Sequence, residues 1–85
     1  MTNNNENPIA FGIALQRLRT ARGITQEEIA FECELSRYFI GLIEKGKKNP
    51  SLNTVVALAG ALSLTTAELI TEFEKELATQ RQKSS

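Results

Sequence analysis

Two helix beginnings stand eleven residues apart in the run ITQEEIAFECELSRYFIGLIEKG from Ile24 to Gly46, and that spacing leaves little freedom for what joins them. Thr25 and Glu28 form a Thr-x-x-Glu capping box, in which the threonine hydroxyl takes a free backbone N–H and the glutamate reaches back to the cap. Ile24 before the cap and Ile29 after it have hydrophobic-staple spacing, which fixes the angle at which the chain joins the helix. Ser36 repeats the device as an N-cap, with Leu35 and Ile40 at staple spacing. Two capped helices this close admit only a turn of about three or four residues, which is helix-turn-helix geometry.

The remaining chain reads as further helices. Pro8 suits the first turn of a helix running to about Arg22, with Phe11, Leu15 and Leu18 spaced for one buried face and Gly23 as its C-terminal stop. Gly46 ends the helix begun at Ser36 in the same way, and Lys47 to Pro50 is a basic loop. Ser51 caps a fourth helix whose Leu52, Val55, Val56, Ala59 and Leu62 are expected to pack inward. Thr65 with Glu68 makes another capping box, stapled by Leu64 and Leu69, and a fifth helix follows to about Ala78. The polar, Asn-rich segment 1–7 reads as a flexible arm and 79–85 as a frayed tail. No strand pattern and no stacking repeat occurs, so the expectation is an all-α, compact five-helix domain over residues 8–78.

Composition narrows the function classes. Eighty-five residues make one domain with a modest core, and 41% hydrophobic with 24% charged residues is globular composition. The single cysteine, Cys33, excludes an internal disulfide and suits a reducing compartment. With no apolar run of membrane-spanning length and no basic-plus-apolar leader, the expected location is cytoplasmic. The chain has no histidine, no aspartate and no glycine-rich phosphate loop, so neither an enzyme nor a metal or cofactor site is expected. Glu68, Glu72 and Glu76 at four-residue spacing read as a solvated stripe. Ten Lys/Arg balance ten Glu, which argues against indiscriminate nucleic-acid binding. The cations from Arg17 to Lys48 nevertheless precede an acidic C-terminal part, so a local basic patch is available.

The runs G-I-T-Q-E-E-I-A from Gly23, L-S-R-Y-F-I-G-L-I-E-K-G from Leu35 and N-P-S-L from Asn49 together resemble the phage repressor/Cro-like (XRE-type) helix-turn-helix family of transcriptional regulators, over Phe11 to Leu69. More narrowly, the chain is similar to the controller proteins of restriction–modification systems, single five-helix domains of about this length. The resemblance implies a regulator that binds a palindromic operator in double-stranded DNA as a homodimer. RNA polymerase is a further partner to consider, and no ligand-sensing domain or small-molecule ligand is expected. A reading of a different class keeps the fold but makes it a protein-interaction module, such as an antitoxin or a bridging factor.

In this motif the second helix lies in the major groove with its N-terminal side chains on base edges. Ile40 and Ile43 must point to the core, so Arg37, Tyr38, Gly41 and Leu42 are the expected base-contacting set. Arg37 leads it, because its fork matches O6 and N7 of guanine; the alternative is a solvated surface arginine. Gln26, Phe39, Lys45, Lys47, Lys48 and Asn49 are expected along the DNA backbone, Gln26 through the start of its helix. Phe39 stands where the controller proteins often carry tyrosine, which leaves packing in place of a hydroxyl. The resemblance also implies a structural ion pair between Arg19 and Glu44. It further implies a left-handed turn residue at position 34, where glycine is usual and this chain has Glu34, at a strain of about 1 kcal/mol. Ile70, Phe73 and Leu77 form an apolar stripe longer than a small core needs, and are the expected dimer interface.

Overall fold

Each helix after the first begins where a side chain satisfies a free backbone N–H. The computed structural model describes residues 6–84, in which five helices are present: α1 (Glu6–Ala21), α2 (Gln26–Glu32), α3 (Arg37–Glu44), α4 (Leu52–Ala61) and α5 (Thr66–Ser84). Thr25 accepts from the Glu28 N–H at 3.0 Å while the Thr25 N–H donates to Glu28 Oε1 at 2.8 Å, closing the capping box of α2. That bond from the backbone N–H, followed by the threonine hydroxyl, holds the Glu28 carboxyl below the usual carboxylate range. Thr65 and Glu68 make the same box at α5. Ser36 and Ser51 cap α3 and α4 through the N–H groups of Phe39 and Thr54.

The helix ends are equally regular. Residues 23, 34, 46 and 63 all adopt left-handed backbone, with φ between 56° at Glu34 and 74° at Gly46. At each, its own N–H and that of the next residue fold back on the last helical carbonyls, as in Glu34 N to Phe31 O at 3.2 Å and Leu35 N to Ala30 O at 2.9 Å, the Schellman arrangement. Glu34 thus takes the strained position expected of it; Ser63, with φ 60°, takes the same one without having been foreseen. At three joints the chain reads left-handed residue, apolar residue, cap: Gly23-Ile24-Thr25, Glu34-Leu35-Ser36 and Ser63-Leu64-Thr65. Ile24, Leu35 and Leu64 each pack half-buried against the core, closing one helix and stapling the next.

α1 is the central element and packs mainly on α5 and α3, while α2 bridges α3 and α4. Leu15, Ile29, Ile40, Ile43, Leu58, Leu62 and Leu69 are the large, fully buried side chains. Arg22 extends from the end of α1 to donate to the Leu62 carbonyl at 3.0 Å, tying the end of α4 to α1. Gly12 lets α1 and α3 touch backbone to backbone: a Cβ there would lie 2.6 Å from the Glu44 carbonyl oxygen and closer still to that of Ile43.

Three expectations are corrected. Leu52 is 76% exposed and Val56 51%, so they do not pack inward: α4 is apolar nearly all round, and only its Val55, Leu58 and Ala59 side reaches the core. α5 does not stop near Ala78 but continues to Ser84, because its Gln, Arg and Lys residues are good helix formers and Arg81 meets Glu6 at 3.2 Å. α1 starts at Glu6, which puts Pro8 within the first turn, where its missing N–H has no helical partner to lose. The rest of the expected arm, residues 1–5, lies outside the described residues. Among the described residues no single helix is long and apolar enough to cross a membrane.

Candidate nucleic-acid interface

The α3 sequence RYFIGLIE divides between two faces. Ile40, Ile43 and Glu44 are buried, which leaves Arg37 exposed and Tyr38 75% exposed on the outer side of the first turn. Gly41 and Leu42 lie half-buried beside them, and nothing stands within 4 Å of where a Gly41 Cβ would be. Phe39 packs against the core, so the loss of a hydroxyl there leaves a purely apolar contact. Lys45 follows as the C-cap of α3, and Lys47, Lys48 and Asn49 are all exposed in the loop beyond. The outer face therefore carries a cation at its start and a basic loop at its end.

What holds α3 in place is a buried polar cluster. Arg19 of α1 donates from Nε to Glu44 Oε2 at 2.6 Å and from NH2 to Oε1 at 3.1 Å. Its remaining nitrogen donates to the Ile24 carbonyl at 2.8 Å. Side-chain exposure is 10% for Arg19 and 4% for Glu44, so the forked pair acts with little screening. The expected Arg19–Glu44 pair is therefore present and ties α1, the joint before α2 and the end of α3 together.

Gln26 joins this cluster, donating from Nε2 to Glu44 Oε1 at 2.8 Å. No local signal foretold that bond, which exists only because the end of α3 returns beneath the start of α2. It uses one of the two amide protons of Gln26 and orients the side chain. Gln26 and Arg37 line one shallow depression together with Thr25 and Glu27, so the first residue of α2 and the first of α3 are neighbours across the turn.

Ile70 and Phe73 of the expected dimer stripe are half-buried and packed against the core, the Phe73 ring lying 6.0 Å from that of Phe11 at 57°. Their outer edges line, with Pro8, Pro50 and Val55, an apolar cleft of about 180 Å³. Leu77 lies further along α5, also half-buried. Cys33 packs against the core, and burial, then the Glu32 charge, pushes its thiol pKa up, away from reactivity.

A helix-turn-helix family model matches residues 15–69, which include the whole of α2, the joint and α3. The control protein C.MunI from a Mycoplasma species is 36% identical over 73 residues, spanning 85% of this chain and 99% of that protein. Among solved structures, the restriction-modification controller protein C.AhdI from Aeromonas hydrophila is 42% identical, with a TM-score of 0.70 over 73% of this chain and 94% of that one. The clp gene regulator ClgR from Corynebacterium glutamicum superposes with a TM-score of 0.85 at 26% identity, over 91% of this chain and 82% of that one. With the capped helix pair, its left-handed joint and the outward face of α3 all within the matched residues, the chain belongs to the helix-turn-helix (HTH_3) family.

Proposed function

We propose that this protein is a cytoplasmic, sequence-specific DNA-binding transcriptional regulator that recognises a palindromic operator as a homodimer. The observation that carries the reading is the outward face of α3: Arg37 and Tyr38 are exposed on its first turn while Glu44 anchors its last turn in the core. Arg37 reads a guanine edge, and Tyr38 and Leu42 contact neighbouring bases or thymine methyls. Gln26, already oriented by Glu44, donates its free amide proton to a phosphate, and Lys45, Lys47, Lys48 and Asn49 follow the backbone. One α3 offers few base contacts, so two copies on half-sites a helical turn apart are required for specificity. The likeness to control proteins supports a small autoregulated switch, with RNA polymerase as the machinery it acts on.

The second copy is taken to cover Ile70, Phe73 and Leu77. The exposure of Leu52 and Val56 adds apolar surface next to Val55, which lines the same cleft as Ile70 and Phe73, and supports an interface shared between α4 and α5.

Selection from random duplex DNA with wild type and Arg37→Ala in parallel tests the reading. Wild type should enrich a two-armed palindrome, and the variant should relax one position in each arm with a loss of about 1–3 kcal/mol. No enrichment even at low salt, where phosphate attraction is strongest, would remove the operator reading. It would favour the second one, a protein-interaction module, which the neutral net charge and the absence of a side chain at Gly41 support.

Gly41→Ala separates stability from binding. Alanine should stabilise the helix by about 0.5–1 kcal/mol, since its Cβ meets nothing, yet it should weaken operator binding by standing between α3 and the base edges. Thermal melts and titrations on the selected operator give the two signs; tighter binding in the variant would show that close approach at Gly41 is not used.

A further inference from the structure

α5 changes sign along its length. Glu68, Glu72, Glu74 and Glu76 occupy its earlier part, and after Glu76 its only charges are Arg81 and Lys83. Cations in a last turn complement the helix dipole, yet the place where this turn lies gives them a second use. Arg81 donates from Nε to Glu6 Oε2 at 3.2 Å, so the end of α5 meets the start of α1. The same start of α1 holds the loop that follows α3. A Cβ at Gly46 would stand 2.9 Å from Ile9 Cα, and Asn7 and Pro8 line one cleft with Asn49 and Pro50. Glu6 and Ile9 are only about 4.5 Å apart along the helix axis. The first turn of α1 therefore touches two basic segments, Lys45 to Lys48 and Arg81 to Lys83. Neither tail cation is used up within the chain. The Arg81 side chain is 58% exposed and meets Glu6 through Nε, which leaves its terminal nitrogens without a partner among the described residues. Lys83 is exposed and makes no ion pair among them.

We propose that the basic end of α5 is a second DNA-binding element, in which the terminal nitrogens of Arg81 and the ammonium of Lys83 bind phosphates beside those met by Lys45, Lys47 and Lys48. The inference rests on the operator reading and adds to it a contact beyond residues 15–69, the part matched to the helix-turn-helix family. Phosphate contacts fix register and strength but carry no sequence information, so this element raises affinity without altering the address. It also suits a chain in which ten cations face ten acids. Binding responds to the local field and not to the sum, and cations gathered at one end of the fold supply that field.

The test titrates the full chain onto the duplex that wild type selects, over a series of salt concentrations. In the double variant Arg81→Gln, Lys83→Gln, glutamine keeps the helix propensity and removes both charges. Each lost phosphate contact should lower the slope of log K against log salt by about one, hence by about two to four for a dimer. Affinity should fall about tenfold or more at low salt, where the counterion effect is greatest, and the selected sequence should stay the same. Glu6→Gln separates a phosphate contact from a folding tie. It leaves an oxygen for Arg81 Nε and removes a negative charge near the phosphates, so it should bind DNA more tightly than wild type. If the Arg81–Glu6 pair served folding alone, the two variants would change binding in the same direction, and the proposal would be overturned. An unchanged salt slope in the double variant overturns it too, as does a changed consensus, which would make the tail a reader of bases. Wild type that selects an operator while the double variant keeps its slope removes only the tail element. Wild type with no affinity for any duplex removes the operator reading and this inference together.

Discussion

Glu44→Ala is expected to cost about 3–5 kcal/mol of folding stability, the usual effect of stripping one partner from a buried ion pair. The figure is large because three donors lose their acceptor together. Arg19 keeps its full charge in a site where its side chain is only 10% exposed, with only the Ile24 carbonyl left to it, and Gln26 loses its bond to the Glu44 carboxylate. A small domain has a total stability of about 5–15 kcal/mol, so the variant should unfold at a much lower urea concentration and be partly unfolded on warming. The double variant Arg19→Met, Glu44→Met distinguishes what the pair does for stability from what it does for geometry. Replacing both charges with apolar groups of similar volume is often neutral or stabilising, so this variant should recover most of the loss in urea. It should still bind operator more weakly, because Gln26 is no longer held. A loss below about 1 kcal/mol in Glu44→Ala would mean that water reaches the pair and screens it as it does a surface ion pair.

Gly12→Ala should be the most damaging single methyl in the molecule. Its Cβ would lie 2.6 Å from the Glu44 carbonyl oxygen and 2.9 Å from the carbonyl carbon, and backbone cannot rotate aside as a side chain can. α3 must move off α1, and overpacking of this kind typically costs about 1–3 kcal/mol and occasionally more. The gain in helix propensity of about 1 kcal/mol offsets only part of it. The shift also stretches the Arg19–Glu44 fork, so the loss should exceed what the clash alone would give. The contrast with Gly41→Ala is informative: the same substitution inside a helix should have opposite signs at the two positions, because one Cβ meets backbone and the other meets nothing. A Gly12→Ala protein that melts at or above the wild-type temperature would falsify the close α1–α3 contact.

How far the fold was legible depends on how local each determinant is. The starts of α2, α3, α4 and α5 were readable because a cap and its N–H are three residues apart, as Thr25 and Glu28 are. The short joint at Glu34 was readable because it falls between two such signals, whereas its left-handed backbone was implied by the family resemblance; Ser63 adopts the same backbone with no local signal for it. The orientation of α4 was not: LNTVVALAGA is apolar on most sides, so periodicity could not choose which of Leu52, Val55 and Val56 faces in. Nor was the end of α5, where polar residues suggest fraying while contact with Glu6 at the far end of the chain supports the helix. At the site, the outward set on α3 followed from the inward set, Ile40 and Ile43. The bond from Gln26 to Glu44 and the contact at Gly12 depend on two helices arriving at one place, and no window of sequence contains both.

The three joints have a consequence for how such a protein can change its target. Ile24, Leu35 and Leu64 each serve two helices at once, so an inserted residue would split the two roles and one would be lost. The frame therefore tolerates no lengthening where it matters most, between α2 and α3. The exposed side chains of α3, by contrast, bear no part of that frame. On the proposed reading the molecule behaves like a type-holder with interchangeable type: a new DNA address would be set by exchanging the exposed residues 37 and 38, while the holder that presents them stays as it is.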